Sequence, residues 1–317
     1  MKILVTRKIP GNHIQKLIDA HHDVVVSDFD RPLTAEELVE KIRGVDVILS
    51  QLTDKIDAEV MDAAGPQLKL ISNYAVGFDN INLDDAKRKN IYVTNTPCDE
   101  VNVAVAEHTI ALILNIARRV SEADHAVHEG AYHGWEPDLF VGESLMGKTL
   151  GVIGLGRIGK MAAVRAHAFG MNVIYSQHHK DENEEFCVMC GSLDELFMKS
   201  DFISLHVPLN EETRHIINEL AFSKMKDGVF LVNTARGPIV DEHALVQALR
   251  SGKVKGAALD VFDNEPEINP ELMGMENVIL TPHIASATNE ARNKMGELAV
   301  NAILDVASGK VPQNLAK

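Results

Sequence analysis

Residues 150–159 read Leu150-Gly151-Val152-Ile153-Gly154-Leu155-Gly156-Arg157-Ile158-Gly159, an apolar run followed by three spaced glycines. The residues after them, Lys160 to Ala168, are compatible with a helix, and Gly170 follows as a stop signal. A strand, a tight turn and a helix in this order predict a dinucleotide-binding turn. The glycines permit the turn, let the backbone approach a pyrophosphate and let the helix pack on the strand. The pyrophosphate would lie at the helix N-terminus, where unpaired N–H groups favour an anion.

The turn begins at residue 154 of a 317-residue chain, so a second folded unit is expected before it. The chain is 45% hydrophobic and 24% charged, as ordinary soluble globular proteins are. Its net charge of −15 repels phosphate groups, so we expect neither nucleic acid nor an anionic membrane as a partner. The longest apolar run of a helical segment, Thr109 to Ala117, is short for a membrane span, and residues 1–5 read as a strand rather than as a signal peptide. We therefore expect a cytoplasmic protein.

The odd number of cysteines in so long a chain argues against a disulfide framework. Cys187 and Cys190 form a C-x-x-C pattern, but two further ligands at comparable spacing are not evident, so we expect no zinc site. The pairs His21-His22 and His178-His179 also lack the i, i+4 spacing of a helical metal site. Trp135, the only tryptophan, lies in a loop rich in glycine and histidine, where a lid, a subunit contact and ordinary packing all stay open.

Short apolar runs alternate with helical segments through the first hundred residues, which predicts a parallel, doubly wound sheet. Thr34 and Glu37 form a capping-box pattern at the start of the second helical segment, Thr34 to Ile42. The predicted strands are 2–6, 24–27, 45–49, 68–72 and 91–94, and the first helical segment is 12–20.

A long apolar helix, Val101 to Val120, is expected to lead into a second sheet that contains the glycine turn. A final helix, Thr288 to Ser308, has no following strand to pack on and is expected to return to the first domain. The predicted strands of the second sheet are 150–153, 172–175, 202–207, 229–234, 257–260 and 278–280.

Polar residues follow the last three strands of this second sheet. Arg236 follows one strand, Asp260 and Glu265 follow the next, and His283 follows the last. Ligands of doubly wound sheets bind at the carboxyl ends of the strands, so these side chains are expected at one rim. An arginine, two carboxylic acids and a histidine are what a reaction with an anionic substrate and a proton transfer requires.

The order of these segments resembles the D-isomer-specific 2-hydroxyacid dehydrogenase family. The resemblance rests on G-x-G-x-x-G at 154–159, T-A-R-G at 234–237, L-D-V-F-x-x-E-P at 259–266 and T-P-H-I-A at 281–285. It extends to residues 73–80 and 93–97, and it is strongest to the glyoxylate/hydroxypyruvate reductase branch. It implies an α/β fold of two doubly wound parallel-sheet domains. A flavodoxin-like substrate-binding domain would comprise 1–100 and 284–317, and an inserted Rossmann dinucleotide-binding domain would comprise 101–283.

The resemblance also implies roles for individual residues. Arg236 matches the arginine that holds the substrate's carboxylate and keto oxygen, which suits a planar guanidinium. His283 matches the general acid/base, and Glu265 matches its carboxylate partner, which favours the imidazolium form. Val76 and Gly77 match a loop whose N–H groups bind the substrate carboxylate across an interdomain cleft.

The resemblance further places Ser286 with the substrate and His283 beside the cofactor, and it places Asp260 at the nicotinamide end. The remaining implied cofactor contacts are Gly154, Leu155, Gly156, Arg157, Ile158, Gly159, Ser176, Gln177, His178, His179, Lys180, Val207, Pro208, Thr213, Thr234 and Ala235.

Each of these residues has a plain structural alternative when it is taken alone. Arg236 could be a solvated surface arginine, and Glu265 could be a turn residue before a proline. His283 and Asp260 could cap loops, and residues 76–77 could form an ordinary turn. Their common order along the chain favours the functional interpretation over these alternatives.

The choice of cofactor depends on the end of the strand after the glycine turn. Members that use NAD usually carry an aspartate there, which bonds the ribose hydroxyls, but this strand ends Tyr175-Ser176. Ser176 to Lys180 offers a hydroxyl, an amide, two histidines and a lysine instead. Because no carboxylate would repel a 2′-phosphate, the sequence favours NADP(H) and leaves NAD(H) possible.

The sequence therefore predicts an oxidoreductase that reduces a small 2-oxo acid, glyoxylate or hydroxypyruvate, to the D-2-hydroxy acid, in a homodimer without a metal. A phosphoglycerate dehydrogenase or another D-2-hydroxyacid dehydrogenase is an alternative, and so is a dinucleotide-sensing protein that resembles a corepressor. Formate dehydrogenase is less favoured, because formate loses hydride without a proton relay and the chain contains both Glu265 and His283.

Overall fold

The chain divides into two compact units. The computed structural model describes residues 1–177 and 185–316. The first unit comprises Met1–Val101 and Ala287–Lys317, and the second comprises Asn102–Ser286.

The first unit contains a five-stranded sheet in the order β2-β1-β3-β4-β5, with every neighbouring pair parallel. This is the strand order of flavodoxin-like folds. Its strands are β1 (Lys2–Val5), β2 (Asp23–Val26), β3 (Val47–Gln51), β4 (Leu70–Tyr74) and β5 (Tyr92–Thr94). Its helices are α1 (His13–Asp19), α2 (Ala35–Lys41), α3 (Ala58–Ala64), α4 (Leu83–Arg88) and the last helix of the chain, α12 (Asn289–Ala307).

Local sequence signals start several of these helices. The predicted capping box of α2 is confirmed, because Thr34 accepts from the N–H of Glu37 and Glu37 accepts from the N–H of Thr34. The last helix packs on β4, where Ser72 Oγ donates to the carbonyl of Ala299 at 3.0 Å. Apolar burial and this hydrogen bond together hold α12 on the unit that begins the chain.

The second unit contains a seven-stranded parallel sheet in the order β12-β11-β10-β9-β6-β7-β8. Read from β8, this is the Rossmann order with one additional strand at the far edge. Its strands are β6 (Thr149–Ile153), β7 (Asn172–Ser176), β8 (Cys187–Met189), β9 (Phe202–Leu205), β10 (Val229–Asn233), β11 (Val254–Leu259) and β12 (Val278–Leu280). Its helices are α5 (Asp99–Arg118, which begins in the first unit), α6 (Val120–His128), α7 (Arg157–Ala168), α8 (Leu193–Lys199), α9 (Glu219–Lys224), α10 (Glu242–Arg250) and α11 (Pro270–Met273).

The two doubly wound parallel sheets confirm the predicted fold class, and two details differ from the prediction. Strand β8 was not predicted, because only one of its three residues, Val188, is β-branched or aromatic. Helix α5 is long and apolar enough to cross a membrane by length and composition, contrary to the expectation from residues 109–117. Most of its apolar stretch is buried, as in the core helix of a soluble protein.

Candidate active site

The glycine turn lies between β6 and α7, as the sequence predicts. Gly154 has a positive φ of 92°, and a Cβ there would come within 2.7 Å of the carbonyl oxygen of His206. A Cβ on Gly159 would overlap the carbonyl of Gly154, so α7 can approach β6 only because residue 159 is a glycine. At Gly156 an added Cβ would meet no protein atom within 4 Å, which leaves space over the N-terminus of α7.

This space fits a dinucleotide. Leu155 turns into the core, Ile158 is partly buried, and Arg157 is exposed as the first residue of α7. The first N–H groups of a helix have no partner within the helix, so those of α7 are available to a pyrophosphate. Strands β6 and β9 are neighbours at the point where the strand order reverses, which is where doubly wound folds bind their ligands.

The loop after β9 forms one side of this switch point. Val207 packs on the core and Pro208 is exposed. Thr213 is buried, and its Oγ1 donates to the carbonyl of Pro208 at 2.6 Å while it accepts from the N–H of Asn210 at 2.9 Å. Thr213 therefore shapes the loop, and the side chain of Val207 lies beside the turn, within 2.8 Å of where a Cβ on Gly154 would stand.

Arg236 stands at the carboxyl end of β10 and is partly buried. The buried Asn233 holds its backbone, because Asn233 Nδ2 donates to the carbonyl of Arg236 at 2.8 Å and Asn233 Oδ1 accepts from the N–H of Ala235 at 3.0 Å. The hydroxyls of Thr234 and Thr109 lie 3.0 Å apart. A Cβ on Gly237 would overlap the backbone of Phe262, so this glycine lets the segment after β10 pack directly on the segment after β11.

Glu265 and His283 form a hydrogen-bonded pair. The distance from His283 Nδ1 to Glu265 Oε2 is 2.8 Å, and about a quarter of each side chain is exposed. The other carboxylate oxygen of Glu265 accepts from the N–H of Phe262 at 3.1 Å. A carboxylate on Nδ1 fixes the orientation of the imidazole and favours a proton there, which leaves Nε2 for a substrate.

His283 has a left-handed backbone, with φ of 53°, which is uncommon for a residue other than glycine. Its N–H donates to the carbonyls of Asp260 at 2.9 Å and Thr281 at 3.0 Å. Neighbouring hydrogen bonds therefore maintain a conformation that costs about 1–3 kcal/mol by itself.

Asp260 is fully buried, and its carboxylate organises the segment that carries His283. It accepts from the N–H groups of Ile284 at 2.9 Å and Ala285 at 2.8 Å and from Thr281 Oγ1 at 2.6 Å. Burial would raise the pKa of Asp260, but hydrogen bonds from His108, Thr281, Ile284 and Ala285 outweigh it, so the pKa lies below its ordinary value. The carboxylate is therefore ionised at neutral pH, and both of its oxygens are engaged.

A second carboxylate holds the segment that carries Glu265. Glu242, the first residue of α10, accepts from the N–H of Asp263 at 2.9 Å. Burial and the nearby Asp263 raise the pKa of Glu242, although the hydrogen bond opposes them. The pair Glu265–His283 is thus anchored from two separate elements.

The remaining predicted substrate contacts are Ser286 in the second unit and Val76 and Gly77 in the first. Ser286 is partly buried at the end of the second unit. Val76 and Gly77 follow β4 in the first unit, where their carbonyls accept from Asn95 Nδ2 at 2.7 Å and Asn73 Nδ2 at 3.0 Å.

Ser176 ends β7 at the position that is expected to select the cofactor. Its carbonyl accepts from the N–H of Gly154 at 3.0 Å, and the next residue, Gln177, is partly buried. His178, His179 and Lys180 lie outside the described residues. Among residues 1–177 and 185–316, no group of three histidine, cysteine, aspartate or glutamate side chains could hold a metal ion.

The family profile described as "D-isomer specific 2-hydroxyacid dehydrogenase, NAD binding domain" matches residues 110–285. The chain belongs to this family. It is 45% identical over 320 aligned residues to the glyoxylate reductase of Thermococcus litoralis, covering 99% of this chain and 96% of that protein.

Two solved structures show the same fold. A protein from Thermus thermophilus is 40% identical, with a TM-score of 0.93 and full coverage of both chains. An acyclic imino acid reductase in complex with NADPH and D-Arg is 33% identical, with a TM-score of 0.86 and full coverage of both chains. As a member of the family, this D-2-hydroxyacid dehydrogenase is an oxidoreductase that uses a nicotinamide dinucleotide and acts on small 2-oxo or 2-hydroxy acids.

The sequence did not point to four residues that shape the dehydrogenase site: His108, Asn233, Glu242 and Thr281. Asn233 ends β10 and Thr281 directly follows β12, so their positions at strand ends were available signals. His108 and Glu242 lie on helices, where a polar residue is ordinarily a solvated one.

Proposed function

We propose that the protein reduces glyoxylate, and also hydroxypyruvate, to the corresponding 2-hydroxy acid. The observation that carries the proposal is the 2.8 Å hydrogen bond between His283 Nδ1 and Glu265 Oε2 at the carboxyl rim of the nucleotide sheet. The likeness to the T. litoralis glyoxylate reductase across 99% of the chain supports the choice of substrate.

His283 would supply the proton. When bound, the reduced nicotinamide supplies a hydride to the carbonyl carbon. As the carbonyl oxygen gains negative charge, His283 donates its Nε2 proton to that oxygen, and Glu265 stabilises the imidazole through Nδ1. The reverse direction returns the same proton to Nε2.

Arg236 would bind the substrate's anionic end. Its guanidinium can donate two hydrogen bonds to a carboxylate and a keto oxygen together, and Asn233 holds its backbone in place. Val76 and Gly77 are proposed to offer N–H groups to the carboxylate, and Ser286 is proposed as a further substrate contact. Asp260 holds the segment of His283 from a fully buried position.

The experiment is a panel of 2-oxo acids assayed with NADPH and with NADH, followed by the loss of nicotinamide absorbance. We expect glyoxylate and hydroxypyruvate to give the highest kcat/KM, with pyruvate, oxaloacetate and phosphohydroxypyruvate below them. A preference for phosphohydroxypyruvate would identify a phosphoglycerate dehydrogenase instead. Absence of turnover across the panel would favour a dinucleotide sensor. The His283–Glu265 pair argues against a sensor, because a protein that only binds the dinucleotide needs no such pair.

We further propose that NADP(H) is the preferred cofactor and that NAD(H) also binds. The support is that β7 ends in Ser176, with a hydroxyl where a carboxylate would repel a 2′-phosphate. Ser176→Asp should therefore raise the KM for NADPH at least about tenfold and leave the KM for NADH similar or lower. Ser176→Ala is the matched control, because it removes the hydroxyl without adding charge. Wild-type enzyme with a lower KM for NADH than for NADPH at both pH 6 and pH 8 would contradict the proposal.

A homodimer is proposed from the surface of the second unit. Residues 120–146 carry large exposed apolar side chains: Val120, Val127, Tyr132, Trp135, Leu139, Val141 and Met146. A cavity of about 300 Å³ lies beside these side chains, and its apolar lining includes Ile116, Val141 and Phe230. An apolar surface of this extent is typical of an interface, and a second copy of the chain is the proposed occupant.

The cytoplasm is the proposed compartment of the protein.

A further inference from the structure

His108 contacts the buried cluster that holds the segment of His283. It lies in the middle of α5, and 19% of its side chain is exposed. Its Nε2 is 3.2 Å from Thr281 Oγ1 and 3.5 Å from Asp260 Oδ1. Neither the family resemblance nor the chemistry proposed above gives this histidine a role.

The direction of these hydrogen bonds follows from what each group can donate. The ionised carboxylate of Asp260 can only accept, so the hydroxyl of Thr281, at 2.6 Å, donates its single proton to Asp260. Thr281 Oγ1 is then left as an acceptor toward His108, and Nε2 of His108 must carry a proton to fill it. The contact therefore requires a donor at the Nε2 position of residue 108.

The cluster leads to His283 through the backbone. The carboxylate of Asp260 binds the N–H groups of Ile284 and Ala285, which follow His283 directly. The carbonyls of Thr281 and Asp260 accept from the N–H of His283 itself. These bonds enclose the one residue of the segment whose φ is positive. A small rotation of the Asp260 carboxylate would move the imidazole relative to Glu265.

We propose that His108 is a positioning residue: its Nε2–H fixes Thr281 and Asp260, and through them it sets the backbone of His283 and the direction of the imidazole. This inference rests on the proposed role of His283 as proton donor. It predicts that the loss of the donor at residue 108 lowers the rate of reduction and leaves cofactor and substrate binding nearly unchanged. A misplacement of about 1 Å in a reacting group can reduce a rate as much as a hundredfold.

The decisive comparison is His108→Gln against His108→Asn. Both variants place an amide at residue 108, but only the longer glutamine can bring an N–H to the Nε2 position, since the asparagine amide reaches no further than Nδ1. We expect Asn to lower kcat roughly tenfold, Gln to stay within about threefold of wild type, and KM for glyoxylate and NADPH to change less than about twofold in both. Glu107→Gln is the control on the same helix, because Glu107 points to Arg165 at 3.3 Å, and it should leave kcat unchanged.

A spectroscopic measurement tests the inference without turnover. With 13C-labelled histidine, the Cε1–H resonance of His283, assigned by its loss in His283→Gln, should shift or broaden in His108→Asn and stay at its wild-type position in His108→Gln. A purely structural role for His108 would lower the melting temperature of both variants and leave this resonance where it is.

The inference is overturned if His108→Asn keeps both the wild-type kcat and the wild-type His283 resonance, or if Gln and Asn lose activity equally. A wild-type enzyme that reduces no 2-oxo acid overturns the proposed function, and the His283 resonance in the two variants then decides the role of His108 on its own.

Discussion

At the scale of single residues, the site depends on hydrogen bonds that fix the orientation of one imidazole. His283 is held at Nδ1 by Glu265 at 2.8 Å and through its backbone by Asp260 and Thr281. A flexible histidine would lose orientation before each proton transfer, so the rate should depend on every one of these contacts.

Replacing the imidazole tests the assignment of the proton donor. His283→Ala should lower kcat for glyoxylate by about a hundredfold or more, the usual contribution of a positioned acid. The Kd for NADPH should stay within about threefold, because the glycine turn that would bind the pyrophosphate is unchanged. Stopped-flow turnover and fluorescence titration measure the two quantities. A variant with wild-type kcat would remove His283 from this role.

Asp260→Asn tests the buried carboxylate. Two N–H groups and a hydroxyl donate to its oxygens, and an amide can offer only one oxygen to them. We expect the free energy of unfolding at pH 7 to fall by roughly 2–3 kcal/mol, as for a buried hydrogen bond to a charged group. Urea unfolding followed by circular dichroism measures it.

The same variant has a pH dependence of known sign. Burial alone would raise the pKa of Asp260, but the hydrogen bonds to its carboxylate have the larger effect and lower the pKa below its ordinary value. The ionised carboxylate therefore makes its full contribution to the free energy of unfolding at pH values above the ordinary pKa of a carboxyl group. That contribution is lost as the pH falls through the lowered pKa of Asp260. The difference in unfolding free energy between wild type and Asp260→Asn should shrink in acid. A difference that stays constant down to pH 3 would contradict this account.

At the scale of elements, the strand–turn–helix unit separates two uses of glycine. At Gly159 a Cβ would overlap the carbonyl of Gly154, whereas at Gly156 it would meet no protein atom within 4 Å. Gly159→Ala should therefore lower the melting temperature by several degrees, because α7 cannot keep its distance from β6. Gly156→Ala should leave the melting temperature within about 2 °C and weaken cofactor binding at least about tenfold. Calorimetry and NADPH titration separate these outcomes, and equal destabilisation by both variants would contradict the prediction.

The end of β9 contributes a pH-dependent stability. Burial lowers the pKa of His206 to about 4, and Ser204 Oγ lies 2.8 Å from its Nε2. Between the ordinary histidine pKa and about 4, the unfolded chain binds a proton that the folded chain does not, so the free energy of unfolding falls as the pH falls through this range. We therefore expect His206 to account for part of the stability that the protein loses between pH 7 and pH 4.5.

His206→Gln isolates this contribution, because glutamine keeps a donor near Nε2 and does not titrate. The stability of the variant should decrease less than that of wild type between pH 7 and pH 4.5, as measured by urea unfolding at both values. Parallel decreases in the two proteins would show that His206 does not carry the effect.

These elements also show which features of the structure could be predicted from the sequence. Local rules predicted the glycine turn and the capping box at Thr34, because each depends on residues a few positions apart. The family resemblance implied the pair Glu265–His283, and the two side chains do meet. Contacts such as His108 with Thr281 join residues 173 positions apart, and only the tertiary fold of the second unit brings them together. The strand β8 (Cys-Val-Met) was missed because it contains a single β-branched residue, whereas the equally short β12 (Val-Ile-Leu) has two and was predicted.

At the scale of the whole molecule, the chain forms two sheets with different strand orders. The first unit is completed by the last helix of the chain, which packs on β4, and the second unit is inserted between its two segments. The net charge of −15 is spread over a molecule whose proposed substrates and cofactor are anions. Local groups such as Arg236 and the N-terminus of α7 must therefore supply the attraction that the overall charge does not.

The proposed homodimer can be tested with Trp135, the only tryptophan of the chain, whose side chain is 82% exposed in the single chain. If residues 120–146 bind a second copy, sedimentation should give about twice 34.8 kDa, and the tryptophan emission should shift to longer wavelength when dilution separates the subunits. Val127→Lys, in the same segment, should weaken association at least about tenfold by placing a charge in an apolar interface while it leaves the tryptophan in place as the probe. Val188→Lys is the matched control, since Val188 is a similarly exposed valine on the edge strand β8. A wild-type protein that sediments at 34.8 kDa at every concentration, with emission independent of dilution, would show that the exposed side chains of residues 120–146 serve no dimer.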